Sequence, residues 1–449
     1  MPIKLIIIVA AGSVTAFLLL RGRATRWFLL CAAVFSIMVG DRTIHLGHWS
    51  GVVPTEVALW LLCLVMLPST ELNIPPSLLL VFVWATVRAI LTVIQGTGWD
   101  PVVAWTLPVL DGFAAFVVAG ALVDRIARLK TILRVVLWAS LAMSIFAIVE
   151  YVYPGISHVL PWFYTGKDIL DADGFVRAPF SFFGYPAAAS IVAWGMIVAY
   201  AQIHGSQASR ARWLAVLVFS LDLYAVYISG QRSTWFGLAA ALAAMSIYFG
   251  FRAIAWLGAV GGVAAALASA TFWARVHTIT TFAVTGVPAD TSSAAHMQRI
   301  MTSWQSMLNN PLYGVGYAKS LSHNAFLEIG RTIGLIPAVL MLVFVCQLWA
   351  RVGPMVFDSA NAERRRYGVI LSAIMLLVTI QLMVETVIST PAFSAAYWLM
   401  MALAWRAPVL FEPSAAVAPG YRTVRSTSFQ DAYARRLRPR PPVDLAGVR

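Results

Sequence analysis

The sequence predicts an all-α, polytopic transmembrane helical bundle of about 12–13 spans with two longer extracytoplasmic loops. Three observations carry that prediction. The chain is 60% hydrophobic and only 11% charged, where a soluble globular domain carries about 45–50% and about 25%. Its apolar residues fall in runs close to the roughly 20 residues a helix needs to cross a hydrocarbon core roughly 30 Å thick. These runs do not alternate apolar with polar at period two, as barrel strands do. Of the structures that lipid admits, helices remain.

Taken in order, the apolar runs are 3–20, 27–40, 52–68, 77–95, 102–124, 131–152, 179–201, 213–229, 235–250, 253–273, 324–349, 367–389 and 392–406. The first mimics a signal peptide, but Arg21, Arg23 and Arg26 follow it where small residues would mark cleavage, so it reads as a helix. Cys31, Cys63 and Cys346 all sit inside apolar runs and read as small buried hydrophobes, with no disulfide framework or metal spacing.

Lysine and arginine concentrate in cytoplasmic loops. With the C-terminal tail inside, the inner loops hold Arg21, Arg23 and Arg26; Arg125, Arg128 and Lys130; Arg210 and Arg212; Arg252; Arg351; and Arg364 to Arg366. The alternate loops are poorer in both. The map places the N-terminus outside and accounts for much of the net charge of +13 without nucleic acid. It describes a multi-pass membrane protein whose two long loops lie on the extracytoplasmic side.

Four regions follow: N-terminal helices over 1–152, a central region over 153–349, C-terminal helices over 350–412, and a Pro- and Arg-rich tail over 413–449. The tail has no apolar periodicity and reads as disordered and cytoplasmic, near anionic lipid. The central region contains both long outer loops, 153–178 and 274–322. Long loops in compact proteins are usually functional or disordered. The second carries an amphipathic helix, with Met297, Ile300, Met301, Trp304, Met307 and Leu308 at helical spacing. Asn309-Asn310-Pro311 ends it. Such a helix lies on a membrane surface or caps a cavity.

Arg177, Arg232 and His323 stand at the starts of spans seven, nine and eleven, which all run from outside to inside. Helix N-termini carry unsatisfied N–H groups and about half a positive charge. If the three ends converge, with Ser233 or Thr234 capping span nine and Ser322 span eleven, they form one site for a phosphate or pyrophosphate whose lipid tail lies in the bilayer. Taken singly, each arginine also reads as an interfacial anchor, and the histidine as a solvated residue.

The segment MQRIMTSWQSMLNNPLYGVGYAKSLSHNAFLEIGRTIGLIP, from Met297 to Pro337, resembles the signature region of the O-antigen ligase and polymerase superfamily, whose members transfer lipid-linked glycans in the bacterial envelope. Those proteins show an arginine, a Trp-containing helix, a Pro-Leu-x-Gly-x-Gly turn and then His-Asn leading into a Gly-bearing helix. SGQRSTW at Ser229–Trp235 resembles the family's Ser-x-Ser-Arg turn. The resemblance covers 170–340; the first five spans match by hydropathy only. Two departures stand out: a short interval from Arg299 to His323, and Pro337 in place of a glycine.

The resemblance implies that Arg232 and Arg299 bind the pyrophosphate of an undecaprenyl-linked donor, through the planar fork that makes bidentate, charge-assisted bonds. It implies that His323 is the general base for the acceptor hydroxyl of a glycan or glycolipid. Arg177 is added as a phosphate contact, and Asn324, Gly314 and Gly316 as supporting residues. No cofactor, metal site or nucleic-acid partner is expected. Asp168, Asp171 and Asp173 read as a solvated loop, with a weak calcium site as the alternative. Asp111, Asp222, Glu385 and Arg88, costly within spans, are expected to face the interior and find partners. The competing function is a flippase or transporter of lipid-linked sugars. It is disfavoured because the candidate residues cluster on one side and no repeat is evident.

Overall fold

A computed structural model describes residues 25–27, 30, 31, 34, 44–46, 49–52, 54–69, 72–95, 99–153, 188–205, 208–285, 291–316, 322–386 and 391–412. The span over 3–20, most of that over 27–40, the loop expected outside beyond 153 with Arg177 and its three aspartates, and the tail over 413–449 lie outside the described residues. The chain divides into units 1–410 and 411–449, and every helix below belongs to the first.

The architecture is an all-α polytopic bundle. Two short antiparallel strands, β1 (Ile44–Leu46) and β2 (Trp49–Val52), precede the helices α1 (Pro54–Met66), α2 (Pro76–Ile94), α3 (Trp99–Leu122), α4 (Ile126–Val152) and α5 (Ala188–Gly205). There follow α6 (Ser209–Ser229), α7 (Arg232–Phe249), α8 (Phe251–Leu267), α9 (Ala270–Thr285) and α10 (Thr291–Asn309). The last four are α11 (Ala325–Ile333), α12 (Leu335–Val356), α13 (Ala362–Val384) and α14 (Pro391–Leu410). Among the described residues, six helices are long and apolar enough to cross a membrane: α2, α4, α5, α6, α12 and α13.

Burial sorts them. Helix α5 is buried at every position from Ala188 to Ala201, as a helix apolar on all sides must be when it occupies the bundle interior; it packs on α4, α6, α7 and α13. Helix α2 instead exposes Leu80, Val83, Val87, Ile90 and Ile94, a face whose natural solvent is hydrocarbon. Two buried acids are satisfied internally. Asp222 accepts from Ser140 Oγ (2.9 Å) and Ser144 Oγ (2.6 Å), and Asp111 from Trp60 Nε1 (3.0 Å) and Ser394 Oγ (2.7 Å). Gly195 makes the first arrangement possible: a Cβ there would lie 1.8 Å from Ser140 Oγ.

Two apolar runs depart from the expected map. The run over 253–273 ends at Leu267, and Ser269 Oγ then accepts from Phe272 N–H (3.2 Å), starting a new helix at 113° to the first. Much of the segment expected as the second outer loop is therefore helix α9 and helix α10. The run over 324–349 is not one helix either; it breaks at Gly334 into α11 and α12.

Candidate functional site

Helix α10 has two working faces. His296, Arg299, Ser303 and Met307, spaced three, four and four residues apart, share the side toward α11. Met307 is buried there, its Sδ 2.2 Å from where a Cβ on Gly330 would stand. Met301, Trp304 and Leu308 form the other face and are about half exposed. The expected apolar stripe is thus divided, because burial against α11 selects the face through Arg299 and not the most hydrophobic one.

Helix α11 rises only about 14 Å over its nine residues, half of a hydrocarbon core, yet both ends are closed. Asn324 caps the start, its side chain accepting from Leu327 N–H (2.9 Å); Ser322, expected as the cap, instead donates from Oγ to Asn324 O (2.7 Å). The last four carbonyls have no partner further along the helix. Here they accept from Gly334 N (2.9 Å), Val315 N (2.7 Å), Gly316 N (3.3 Å) and Trp84 Nε1 (2.9 Å). The Pro-Leu-x-Gly-x-Gly turn supplies two of these donors, and Gly314 (φ 63°) has no room for a side chain, since a Cβ would meet Arg331 O at 2.5 Å. Gly314 and Gly316 therefore support the break at the far end of α11, away from His323.

His323 stands immediately before that capped start. Its φ of 56° is the sole positive value on a non-glycine among the described residues. Such strain persists where the surroundings over-determine it: Ser322 N–H donates to Glu328 Oε2 (3.0 Å), and Asn324 N–H to Ser322 Oγ (3.3 Å). Glu328 is itself held by Arg331 in a buried ion pair (2.6 Å). Arg299 Nη1 lies 2.5 Å from His323 Nε2, and the ring of His296 stacks on that of His323 with centroids 3.9 Å apart. Burial first, then the charges of His296 and Arg299, push the His323 imidazole down to about 4. It is neutral at physiological pH, and since arginine only donates, Nε2 is the accepting nitrogen.

Arg232 is the first residue of α7. Neither Ser233 nor Thr234 caps that helix, as had been expected. The N-cap residue is Gln231, which makes no side-chain cap; Thr234 Oγ1 donates to Gln231 Oε1 (2.6 Å) and Ser233 Oγ to Glu385 Oε1 (3.3 Å). The Ser233 hydroxyl is drawn to Glu385 at the end of α13, and that of Thr234 to the Gln231 side chain. Asn324 Nδ2 donates to Met383 O on the same end of α13 (2.7 Å). The starts of α7 and α11 thus bond to the same end of α13, Ser233 through Glu385 and Asn324 through Met383. Below them Gln381 joins Ser190, Thr234 (3.0 Å) and Tyr397 (2.5 Å) in a buried polar network that fixes the helix ends.

The structure therefore puts Arg299 directly on His323, Asn324 at the cap of α11, Arg232 at the start of a helix that bonds to the same end of α13, and Gly314 and Gly316 in the scaffold. Arg177 lies outside the described residues. Arg88, half-buried on α2, has its guanidinium near Gly316 with Nε lacking a hydrogen-bond partner. Sequence reasoning missed His296 and Glu328. The first was legible as the residue one turn before Arg299 on the same face, the second as half of an i,i+3 acid–arginine pair in an apolar helix.

The constellation offers a neutral imidazole acceptor and guanidinium forks. No protein-family model matches the chain, and no curated protein matches it.

Proposed function

We propose that this chain is an integral-membrane glycosyltransferase that moves a glycan from an undecaprenyl-pyrophosphate donor to a hydroxyl acceptor on the outer side of the bacterial inner membrane, in the manner of an O-antigen ligase or polysaccharide polymerase. The observation that carries the reading is the Arg299–His323 contact, just before a short capped helix whose start bonds to the same end of α13 as the start of the Arg232 helix.

The chemistry needs three things. A base must take the acceptor proton, cations must hold the pyrophosphate, and the leaving pyrophosphate must be stabilised. Arg299 donates to the Nε2 lone pair of His323. A pyrophosphate, carrying more charge than an imidazole nitrogen, competes for that guanidinium and offers it bidentate oxygens. Donor binding would then release Nε2 and remove one of the charges that depress its basicity. The acceptor oxygen attacks the anomeric carbon as its proton passes to His323 Nε2. The glycosidic C–O bond to pyrophosphate breaks, and undecaprenyl pyrophosphate leaves between Arg232 and Arg299. The base would be freed only when the donor is in place, which guards against idle hydrolysis.

Purified protein mixed with lipid-linked glycan and a hydroxyl acceptor should release undecaprenyl pyrophosphate and form a new glycoside. Proteoliposomes that carry the intact donor across the bilayer without forming any glycoside would make the chain a flippase instead. In a deletion strain, accumulated long lipid-linked chains would mark a ligase and single repeat units a polymerase.

A further inference from the structure

At the other end of α13 lies a cavity of about 570 Å³ that takes no part in the proposed transfer. Glu363 and Met383 are separated by about 30 Å of helix, so the cavity and the His323 site stand a membrane thickness apart. Lys130 and Arg134, one turn apart on α4, and Arg366 on α13 line it, with Glu363 as the opposing acid.

Its composition is graded with depth. Lys130, Glu363 and Arg366 lie within five residues of the starts of α4 and α13, and Gln202 within four of the end of α5. Leu133, Val198 and Ile370 line it one turn further in. Arg134 begins at that deeper level, but its long stem lets its head reach outward, and it is exposed. The polar layer thus sits at headgroup depth and the apolar layer at the start of the acyl region.

The charge is unbalanced. Three cations face one acid, which is already engaged in an ion pair with Lys130. Arg366 donates to Gly205 O and Ala201 O (both 3.3 Å) at the end of α5, while its Nε is buried with no hydrogen-bond partner. An unsatisfied buried guanidinium nitrogen is costly.

We infer that this cavity is a binding site for an anionic phospholipid: the phosphate lies among Lys130, Arg134 and Arg366, and the upper acyl chains lie against Leu133, Val198 and Ile370. Basic pockets between membrane helices take such headgroups. The Lys/Arg bias assigns this end to the cytoplasmic leaflet, so the site is independent of the donor site and of whether the transfer reading holds.

The test uses the purified full chain in uncharged detergent, titrated with fluorescent short-chain phosphatidylglycerol, with phosphatidylcholine of equal chain length and inorganic phosphate as separate arms. Phosphatidylglycerol should bind more tightly than phosphatidylcholine. Arg134→Gln and Lys130→Gln should each weaken it by roughly fivefold, while Arg210→Gln, at the same end but outside the cavity, leaves it unchanged. Arg366→Gln is avoided because Arg366 also ties down the end of α5. An equal loss from Arg210→Gln would mean diffuse surface charge and overturn the site. So would unchanged affinity in both cavity variants. Competition by inorganic phosphate alone, with no advantage for the lipid, would overturn a lipid as the source of the phosphate.

Discussion

Arg299 on α10 and His323 in the turn before α11 meet at 2.5 Å through Nη1 and Nε2, so the guanidinium that would hold an anion also occupies the nitrogen that would accept a proton. That double use has a direct consequence for pH. His323 is depressed to about 4 by burial, His296 and Arg299, in that order. A base works only unprotonated, so transfer should persist as pH falls through 6 and be lost as it approaches 4.

Arg299→Gln removes one of the three depressing causes. The acid limb of kcat/KM for transfer should then move up, toward the ordinary histidine value near about 6.5. The position of the limb is the readout, since its height will fall with donor affinity. An unmoved limb would detach Arg299 from the ionisation of His323.

Replacement of His323 by asparagine isolates the proton transfer. Asparagine tolerates the left-handed backbone that His323 adopts at φ 56°, so the neighbouring cap and the Ser322–Glu328 contact should survive. Single-turnover transfer should drop by on the order of 10²–10⁴, with donor binding largely kept. Transfer at the wild-type rate would remove His323 as the base. Joint loss of binding and transfer would make it a phosphate ligand.

Arg232→Lys and Arg299→Lys keep the charge and lose the planar fork. Membrane insertion should be normal in both, and turnover reduced. Two fully active lysine variants would reduce these arginines to interfacial anchors.

Much of this was readable from sequence, and the reasons differ by feature. Hydropathy made the bundle legible because lipid requires long apolar helices. Arg299 and His323 were both candidates from the sequence, but their contact was not legible, because they stand 24 residues apart on separate elements. Periodicity ranked the face of α10 by hydrophobicity, whereas packing chose the face that carries Met307 and Arg299. The caps were misassigned at Ser233, Thr234 and Ser322. Each of these hydroxyls had a better acceptor: Ser233 in Glu385, Thr234 in Gln231, and Ser322 in the carbonyl of Asn324. The break at Gly334 was hidden because α11 and α12 are both apolar, and the donors that close it, Trp84 among them, are remote in sequence.

That break yields the last prediction. Gly334 has φ 110°, and a Cβ there would lie 2.4 Å from Leu312 O. Leu335 N–H also donates to Pro311 O (2.7 Å), so the carbonyl-bearing turn has nowhere to retreat without giving up a bond. Gly334→Ala would add left-handed strain of about 1–3 kcal/mol to that collision. The thermal midpoint of the purified protein should fall, and transfer with it, because the closed end of α11 sets where His323 stands at the other. Gly353→Ala is the control: it lies in α12 with nothing within 4 Å of its added methyl, and it should cost nothing measurable. If Gly334→Ala melts at the wild-type temperature, α11 and α12 pass through that point as one continuous helix, and the accounting of the four carbonyls fails with it.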